Sequence, residues 1–215
     1  DETTKNKFYP TADLVTGPDI IFFWVARMIM AGYEFTGEKP FSNVFFTSII
    51  RDKKGRKMSK SLGNSPDPLD LIAQYGADAL RFSIMRIAPS GTDVRFIENK
   101  NKDEAEVNDC PQVEEGRNFA NKLWNAARFR QMQGSTDGVK ELPDLGELSI
   151  YDIDILRKLD SLNEELSDSY SSYKFQEIAN KLYDFFWSEF CDWYLESIKL
   201  SFRDDADQDR RTIVL

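Results

Sequence analysis

The chain has 215 residues, 41% of them hydrophobic and 30% charged, with a formal net charge of −9. This composition is typical of a globular chain of one or two domains, and it excludes nucleic-acid binding through a generally basic surface. Two cysteines and no histidine predict free thiols in a reducing compartment, the cytoplasm, and no zinc or other metal site.

The first predicted elements are a strand and a helix. Leu14–Thr16 predicts the end of a buried strand, and Gly17 and Pro18 suit the N-cap and first position of a helix. The apolar run 20–30 is too short to span a bilayer, so we predict a buried helix and no membrane association. Its large aromatic side chains are predicted to lie in the core: Phe22, Phe23 and Trp24.

A second strand, predicted over Val44–Ile50, leads into a basic loop. The segment from Arg51 to Lys60 carries six basic residues and one acidic residue. Lysines, serines and flanking glycines make a flexible loop that can neutralise a polyphosphate, although solvated loops and nucleic-acid patches have similar compositions. A strand–helix–strand unit would place Asp19 and this loop at the same edge of a sheet.

Helices dominate the rest of the chain. Short helices are predicted over 69–75 and 78–87, followed by a turn and small strand at 91–96, and polar loops at 98–112 and 134–146. Beyond Val113 three amphipathic helices predict a bundle. Their predicted apolar faces are Phe119, Leu123, Trp124 and Ala127; Ile155, Leu159, Leu162 and Leu166; and Phe175, Ile178, Leu182, Phe185, Phe186 and Trp193. The aromatic stripe of Phe185, Phe186, Trp187 and Phe190 is predicted to be core rather than a base-stacking platform.

Four segments in order resemble the class I aminoacyl-tRNA synthetases, and in particular their valine-specific members. They are Thr16–Met28, the loop 51–64 with its Lys-Met-Ser-Lys-Ser signature, Asp67–Phe82 and Glu114–Phe129. Isoleucine and leucine enzymes share the loop but usually have a polar residue in place of Ile20.

The resemblance implies an α/β part followed by an all-α part. Residues 1–64 would be the C-terminal part of a Rossmann-like catalytic domain with the signature loop, 65–112 a connector, and 113–215 an incomplete anticodon-binding helical bundle. A start in mid-motif without methionine predicts a fragment. Since the family's first signature contains histidines and this chain has none, the isolated chain is predicted to be inactive.

The complete enzyme would activate valine with ATP and Mg²⁺ and transfer it to tRNA(Val), with no protein partner implied. By resemblance Lys57 and Lys60 are the catalytic cations, and the ATP-binding residues are Gly17, Asp19, Lys57, Met58, Ser59, Lys60 and Ser61. Without the resemblance, Asp19 would be read only as stabilising a helix end.

The predicted tRNA-binding cations are Arg117, Lys122, Arg128 and Arg130, although such residues more often form a solvated face. Two alternatives stay open. One is an isoleucine-specific relative, and the other is a stand-alone tRNA-binding module without catalysis.

Overall fold

The computed structural model describes residues 1–89, 91–99, 109–134, 143–203 and 207–214. The predicted loops at 98–112 and 134–146 therefore lie partly outside the described residues. The strands are β1 (Thr11–Thr16), β2 (Phe41–Phe46), β3 (Ile50–Arg51) and β4 (Val94–Arg95). The α-helices are α1 (Glu2–Phe8), α2 (Ala26–Thr36), α3 (Pro68–Tyr75), α4 (Ala77–Ile87), α5 (Pro111–Met132), α6 (Ile150–Ser171), α7 (Phe175–Asp184), α8 (Glu196–Ile198) and α9 (Gln208–Val214).

The predicted strand–helix–strand unit is confirmed. β1 and β2 pair in parallel, with Thr11 opposite Phe41 and Thr16 opposite Phe46. Gly17 is the N-cap of the crossover and Pro18 its first helical residue. The crossover continues through a 3₁₀ turn and the π-helical segment Ile21–Val25 into α2.

The prediction that the crossover aromatics are core residues is wrong. Phe22, Phe23 and Trp24 are 75%, 67% and 45% exposed. Within the described ranges the sheet that the crossover joins has two strands, so it covers only a narrow part of the helix surface. The buried positions are Val25 and Gly32, and a Cβ on Gly32 would lie 2.8 Å from Pro40.

The second strand begins and ends earlier in the chain than predicted. It ends at Phe46, and the chain turns through 47–49 before β3 pairs in parallel with β4 in a separate small sheet. The Ser48 hydroxyl donates to the Pro89 carbonyl, so this turn is attached to the end of α4. The basic loop therefore follows β3 and does not directly follow the strand that pairs with β1.

The main core lies among α3, α4 and α5. It contains the buried side chains Leu71, Tyr75, Ala79, Leu80, Phe96, Cys110 and Val113. α5 approaches α4 at Gly116, where a Cβ would lie 2.3 Å from Ser83 Oγ and 2.5 Å from the Ala79 carbonyl oxygen. The predicted apolar face of α5 is correct at Phe119, which is buried beside Gly116, and wrong at Leu123 and Trp124, which are 40% and 71% exposed. The close helix–helix contact, rather than apolar side-chain spacing, selects the buried face.

A second core joins α6 to α7, around Leu162, Leu166 and Ile178, and half-buried Phe175 and Phe185 pack against it. After α7 the helix widens into the π-helical segment Phe185–Leu195. This change of period shifts the expected face, and Trp193 is 60% exposed. Rings of the aromatic stripe stack within the bundle, such as Phe186 on Phe190 at 5.4 Å between centroids.

A buried carboxylate ties the start of α6 to α9. Asp152 is 3% exposed, and it accepts hydrogen bonds from both terminal nitrogens of Arg210, from Ser149 and from Tyr194. Burial alone would raise the pKa of Asp152, but the bonds from Arg210 and Ser149 outweigh burial and lower it to about 2. The carboxylate is therefore charged at neutral pH and is a structural anchor.

We expect Gly116→Ala to lower the free energy of unfolding by about 2 kcal/mol, because the new methyl group overlaps Ser83 and the α4 backbone. Chemical denaturation at neutral pH measures this. Gly146→Ala is the matched control, since a Cβ there meets nothing within 4 Å. Equal midpoints for the two variants would contradict the close packing of α4 on α5.

We expect Asp152→Asn to lower the free energy of unfolding by about 3 kcal/mol at neutral pH, because the amide leaves Arg210 without its ionic partner. The folded-state pKa lies below that of the unfolded chain, so this stabilisation is present above about pH 4 and is lost as the pH falls towards about 2. Denaturation curves over this range should show wild type and variant converging. Asp160→Asn on the exposed side of α6 controls for loss of charge, and a constant gap between wild type and Asp152→Asn would refute the assignment.

Candidate functional site

The basic loop begins as a tight hairpin. The Asp52 amide donates to the Arg56 carbonyl and the Gly55 amide donates back to the Asp52 carbonyl. Gly55 has a φ of +79°, which favours glycine at this turn. The hairpin returns to pair Arg51 with Lys57, so the signature starts at the end of an ordered turn.

Asp52 organises this hairpin. This residue is 7% exposed, and its carboxylate accepts hydrogen bonds from the Lys54 and Arg56 amides, from Arg56 Nε at 2.7 Å and from Asn64 Nδ2 at 3.0 Å. The bond from Asn64 is the main cause that holds the pKa of Asp52 far below its usual range. Burial opposes this shift and Arg56 adds to it. A fixed negative charge thus lies at the base of the basic loop.

Asn64 joins the two ends of the loop. Its Oδ1 accepts from the Ser59 amide at 2.9 Å, and its Nδ2 also donates to the Lys57 carbonyl at 3.2 Å. The sequence predicts no role for Asp52 or Asn64, which flank the signature within the basic loop. The available signal was that Asp52 is the single acid in a run of cations.

The signature residues themselves divide into anchored and exposed groups. Met58 is half-buried and packs against the main core, while the Ser59 and Ser61 hydroxyls share a hydrogen bond of 2.7 Å. Lys60 begins a 3₁₀ turn that Gly63 closes with a φ of +55°. The lysine side chains therefore project from a loop whose backbone is held on both sides.

The structure brings the two predicted ATP segments together. Lys57 Nζ lies 3.8 Å from Asp19 Oδ2, with the two side chains 73% and 57% exposed, so this ion pair contributes little stability. A Cβ on Gly17 would lie 3.2 Å from Ile49, the residue before β3. Across the described ranges no ion pair involves Lys60, which is exposed. Lys57 and Asp19 therefore lie together on an open surface, and the exposed Lys60 follows three residues later on the same loop.

The four predicted tRNA-binding cations do not form one face. Lys122 is paired with Asp192 at 2.6 Å and lies over the Trp187 ring, while Arg117 is paired with Glu114. Arg130 Nη1 donates to the Gly134 carbonyl, and Arg128 is exposed. Arg117 and Arg128 are about three turns apart on one side of α5, and Lys122 lies well away from that line.

Two further features concern the same described ranges. No described helix combines the length and hydropathy that crossing a membrane requires. No group of three or more His, Cys, Asp or Glu side chains among those residues is arranged to hold a metal ion.

Comparisons with known proteins match both parts of the chain. The family model of tRNA synthetases class I (I, L, M and V) matches residues 1–97, and that of the anticodon-binding domain of tRNA ligase matches residues 152–214. Similar solved structures include Mycobacterium tuberculosis methionyl-tRNA synthetase in complex with methionyl-adenylate, with a TM-score of 0.70 and 22% identity. That match covers 97% of this chain and 39% of the other. It supports the predicted fold.

Curated relatives give a finer assignment. The valine–tRNA ligase of Parabacteroides distasonis is 49% identical over 97% of this chain, and that of Bacteroides fragilis is 50% identical over 90%. The chain spans about a fifth of the length of these relatives, 22% and 20% respectively. The matches to both family models and to these relatives show that the chain belongs to the class I aminoacyl-tRNA synthetases, in the valine–tRNA ligase group.

Proposed function

We propose that this chain is the signature-loop and helical portion of an enzyme that joins valine to tRNA(Val) using ATP. The observation that carries the proposal is the approach of Lys57 to Asp19 at 3.8 Å, on a loop fixed by Asp52 and Asn64. Relatives about half identical to the chain bear the name valine–tRNA ligase. The valine specificity is proposed from that name.

In the first step the carboxylate of valine attacks the α-phosphorus of ATP. The bond to the bridging oxygen breaks, and pyrophosphate leaves with the Mg²⁺ that accompanies ATP. In the second step a hydroxyl of the terminal ribose of tRNA attacks the valyl carbonyl and AMP leaves. Negative charge builds on the phosphate oxygens in the first step, so fixed cations beside them lower the barrier.

In this scheme Lys57 and Lys60 hold the phosphates of ATP. Asp19 accepts hydrogen bonds from the ribose hydroxyls, and Gly17 lets the backbone lie close to the adenosine. Met58 anchors the loop, while Ser59 and Ser61 donate hydrogen bonds within it or to phosphate oxygens. The exposure of both lysines and of Asp19 leaves these groups accessible to a nucleotide.

The same proposal divides the chain into a catalytic part at 1–64, a connector at 65–112 and a helical tRNA-binding part at 113–215. The cations of α5 contact tRNA phosphates, and Arg128 is the most accessible of them. The complete enzyme would work in the cytoplasm, where the free thiols of Cys110 and Cys191 remain reduced.

We expect Lys60→Ala in the full-length enzyme to slow valine-dependent ATP–pyrophosphate exchange by about a hundredfold to a thousandfold, because a cation aimed at the developing charge is lost. tRNA binding should change by less than about threefold, since a single exposed phosphate contact contributes little to it. Exchange kinetics and a filter-binding titration measure the two effects.

Lys53→Ala is the matched control, because Lys53 is an exposed lysine of the same loop that lies outside the signature. It should leave exchange near the wild-type rate. If Lys60→Ala weakened tRNA binding as much as exchange, a tRNA-binding module would fit better than a ligase. Charging of purified tRNA(Ile) in preference to tRNA(Val) would favour the isoleucine-specific alternative.

We expect Asn64→Ala in the full-length enzyme to slow valine-dependent ATP–pyrophosphate exchange by roughly tenfold to a hundredfold, because the Ser59 amide and the Lys57 carbonyl lose the side chain that positions them. Hydrogen exchange at the Ser59 amide should accelerate in parallel. Asn125→Ala, on an exposed part of α5, should change neither rate. A variant with faster amide exchange but wild-type kinetics would show that loop order does not limit the reaction.

A further inference from the structure

The turn between α6 and α7 contains an unusual residue. Lys174 donates its amide to the Ser169 carbonyl, and Tyr173 donates to the Tyr170 carbonyl, a helix-ending pattern that places Tyr173 in the left-handed region at a φ of +57°. Glycine takes this position without strain, whereas a tyrosine does not. In the part of the chain that the structure describes, Tyr173 is the one non-glycine residue with positive φ. The strained backbone at this tyrosine suggests that its side chain has a function.

The Tyr173 side chain reaches the sheet. Its hydroxyl donates to Asp13 Oδ1 at 2.6 Å, and Asn43 Nδ2 donates to the same oxygen at 2.9 Å. Asp13 and Asn43 are opposite each other in the register of β1 and β2. The ring centroid lies 5.9 Å from that of Phe45 and 6.3 Å from that of Phe175. One side chain of the helical part thus contacts both strands of the strand–helix–strand unit.

The hydrogen bond has an ionised acceptor. Donation by Tyr173, and then by Asn43, lowers the pKa of Asp13, and the same bond to Asp13 raises the pKa of Tyr173. At neutral pH the hydroxyl is therefore protonated and the carboxylate is charged. Hydrogen bonds between a neutral donor and a carboxylate are shorter and stronger than those between neutral groups.

The two parts of the chain also meet elsewhere. Arg86 of α4 lies over the Tyr183 ring at 3.9 Å from its centroid and donates to Asn180 Oδ1 at 3.0 Å. A cavity of 390 Å³, lined in part by Ser48, Met85 and Phe175, lies beside the Tyr173 contacts, so the interface is not continuously packed. Ring contacts also cross this interface, since Phe45 lies 5.5 Å from Phe175 and Phe82 lies 6.5 Å from Tyr183 between centroids. Tyr173 adds a directional hydrogen bond to β1, and this bond limits rotation about the ring contacts.

We propose that Tyr173 is a positioning residue that holds the anticodon-binding helices at a set angle to the catalytic sheet. The inference rests on the proposed function. Residues 1–97 and 152–214 match separate family models, and Tyr173 joins one matched region to the other. β1 leads directly to Gly17 and Asp19, and β2 leads through β3 to the basic loop. A tRNA bound to the helices is thereby directed towards the strand ends where ATP binds.

The test uses Tyr173→Gly in the full-length enzyme, because glycine preserves the turn, relieves its strain and removes both contacts with the sheet. We expect the KM for tRNA to rise by about tenfold, in proportion to the loss of a hydrogen bond to a charged group and its ring contacts. Valine-dependent ATP–pyrophosphate exchange, which needs no tRNA, should stay within about twofold of wild type. Tyr173→Phe keeps the ring and loses the hydroxyl, so it should restore part of the tRNA affinity.

Tyr170→Ala is the matched control, since Tyr170 is 56% exposed at the end of the same helix. It should leave both assays unchanged. A merely structural role for Tyr173 predicts that exchange and charging fall together in Tyr173→Gly, and that result would overturn the proposal. Wild-type KM for tRNA in Tyr173→Gly would overturn it as well.

A second readout does not depend on activity. Spin labels on cysteines introduced at the exposed Glu34 and Glu164 report the distance between sheet and bundle, while the native Cys110 and Cys191 are buried. We expect a single narrow distance distribution in wild type and a broader one in Tyr173→Gly. An unchanged distribution would refute the positioning role. If wild-type enzyme charged no tRNA, the proposed function would fail, and the distance measurement would still decide whether Tyr173 orients the helices.

Discussion

The basic loop depends on one buried carboxylate. Six cations between Arg51 and Lys60 repel one another, and a free loop of that composition would spread into solvent. Asp52 counters this repulsion by accepting hydrogen bonds from two backbone amides, from the Arg56 guanidinium and from the Asn64 side-chain amide. The loop therefore closes around the negative charge of Asp52. The signature lysines remain outside that arrangement. The same carboxylate therefore both folds the loop and leaves its cations available for an anion.

Packing against the main core also holds the basic loop in place. Ile50 and Met58 pack against the cluster that contains Leu71, Phe96 and Val113, and Val113 belongs to α5. The segment that presents the cations and the first long helix thus share buried neighbours. Close packing makes such interiors transmit displacements instead of absorbing them. Movement of α5 against α4 at Gly116 would therefore displace the base of the loop, independently of the Tyr173 contact.

The sequence patterns predict the positions of the helices and strands better than they predict which side chains are buried. Gly17 and Pro18 marked the crossover start, and α3 and α4 lie within a residue of their predicted bounds, because capping and proline signals act locally. The exposure of Trp24 and Trp124 was not predicted, since apolar spacing does not report which neighbour is present or how closely a glycine lets it approach. Strand order predicts that Asp19 and the basic loop lie at one edge of the sheet, while the roles of Lys57 and Asp19 come from the resemblance to the synthetases. The roles of Asp52 and Asn64 required the tertiary hydrogen bonds to be seen.

The crossover carries an exposed aromatic ridge, formed by Phe22, Phe23 and Trp24, which favours association between copies of this chain at high concentration. Phe22, Phe23 and Trp24 present adjoining apolar rings to water, and contact between two such ridges releases ordered solvent. Mutual repulsion from a net charge of −9 opposes that contact near neutrality, and dissolved salt weakens the repulsion. As the pH falls towards the isoelectric point near 4.7 this repulsion disappears, which favours association at a higher pH than that at which the Asp152 carboxylate is protonated.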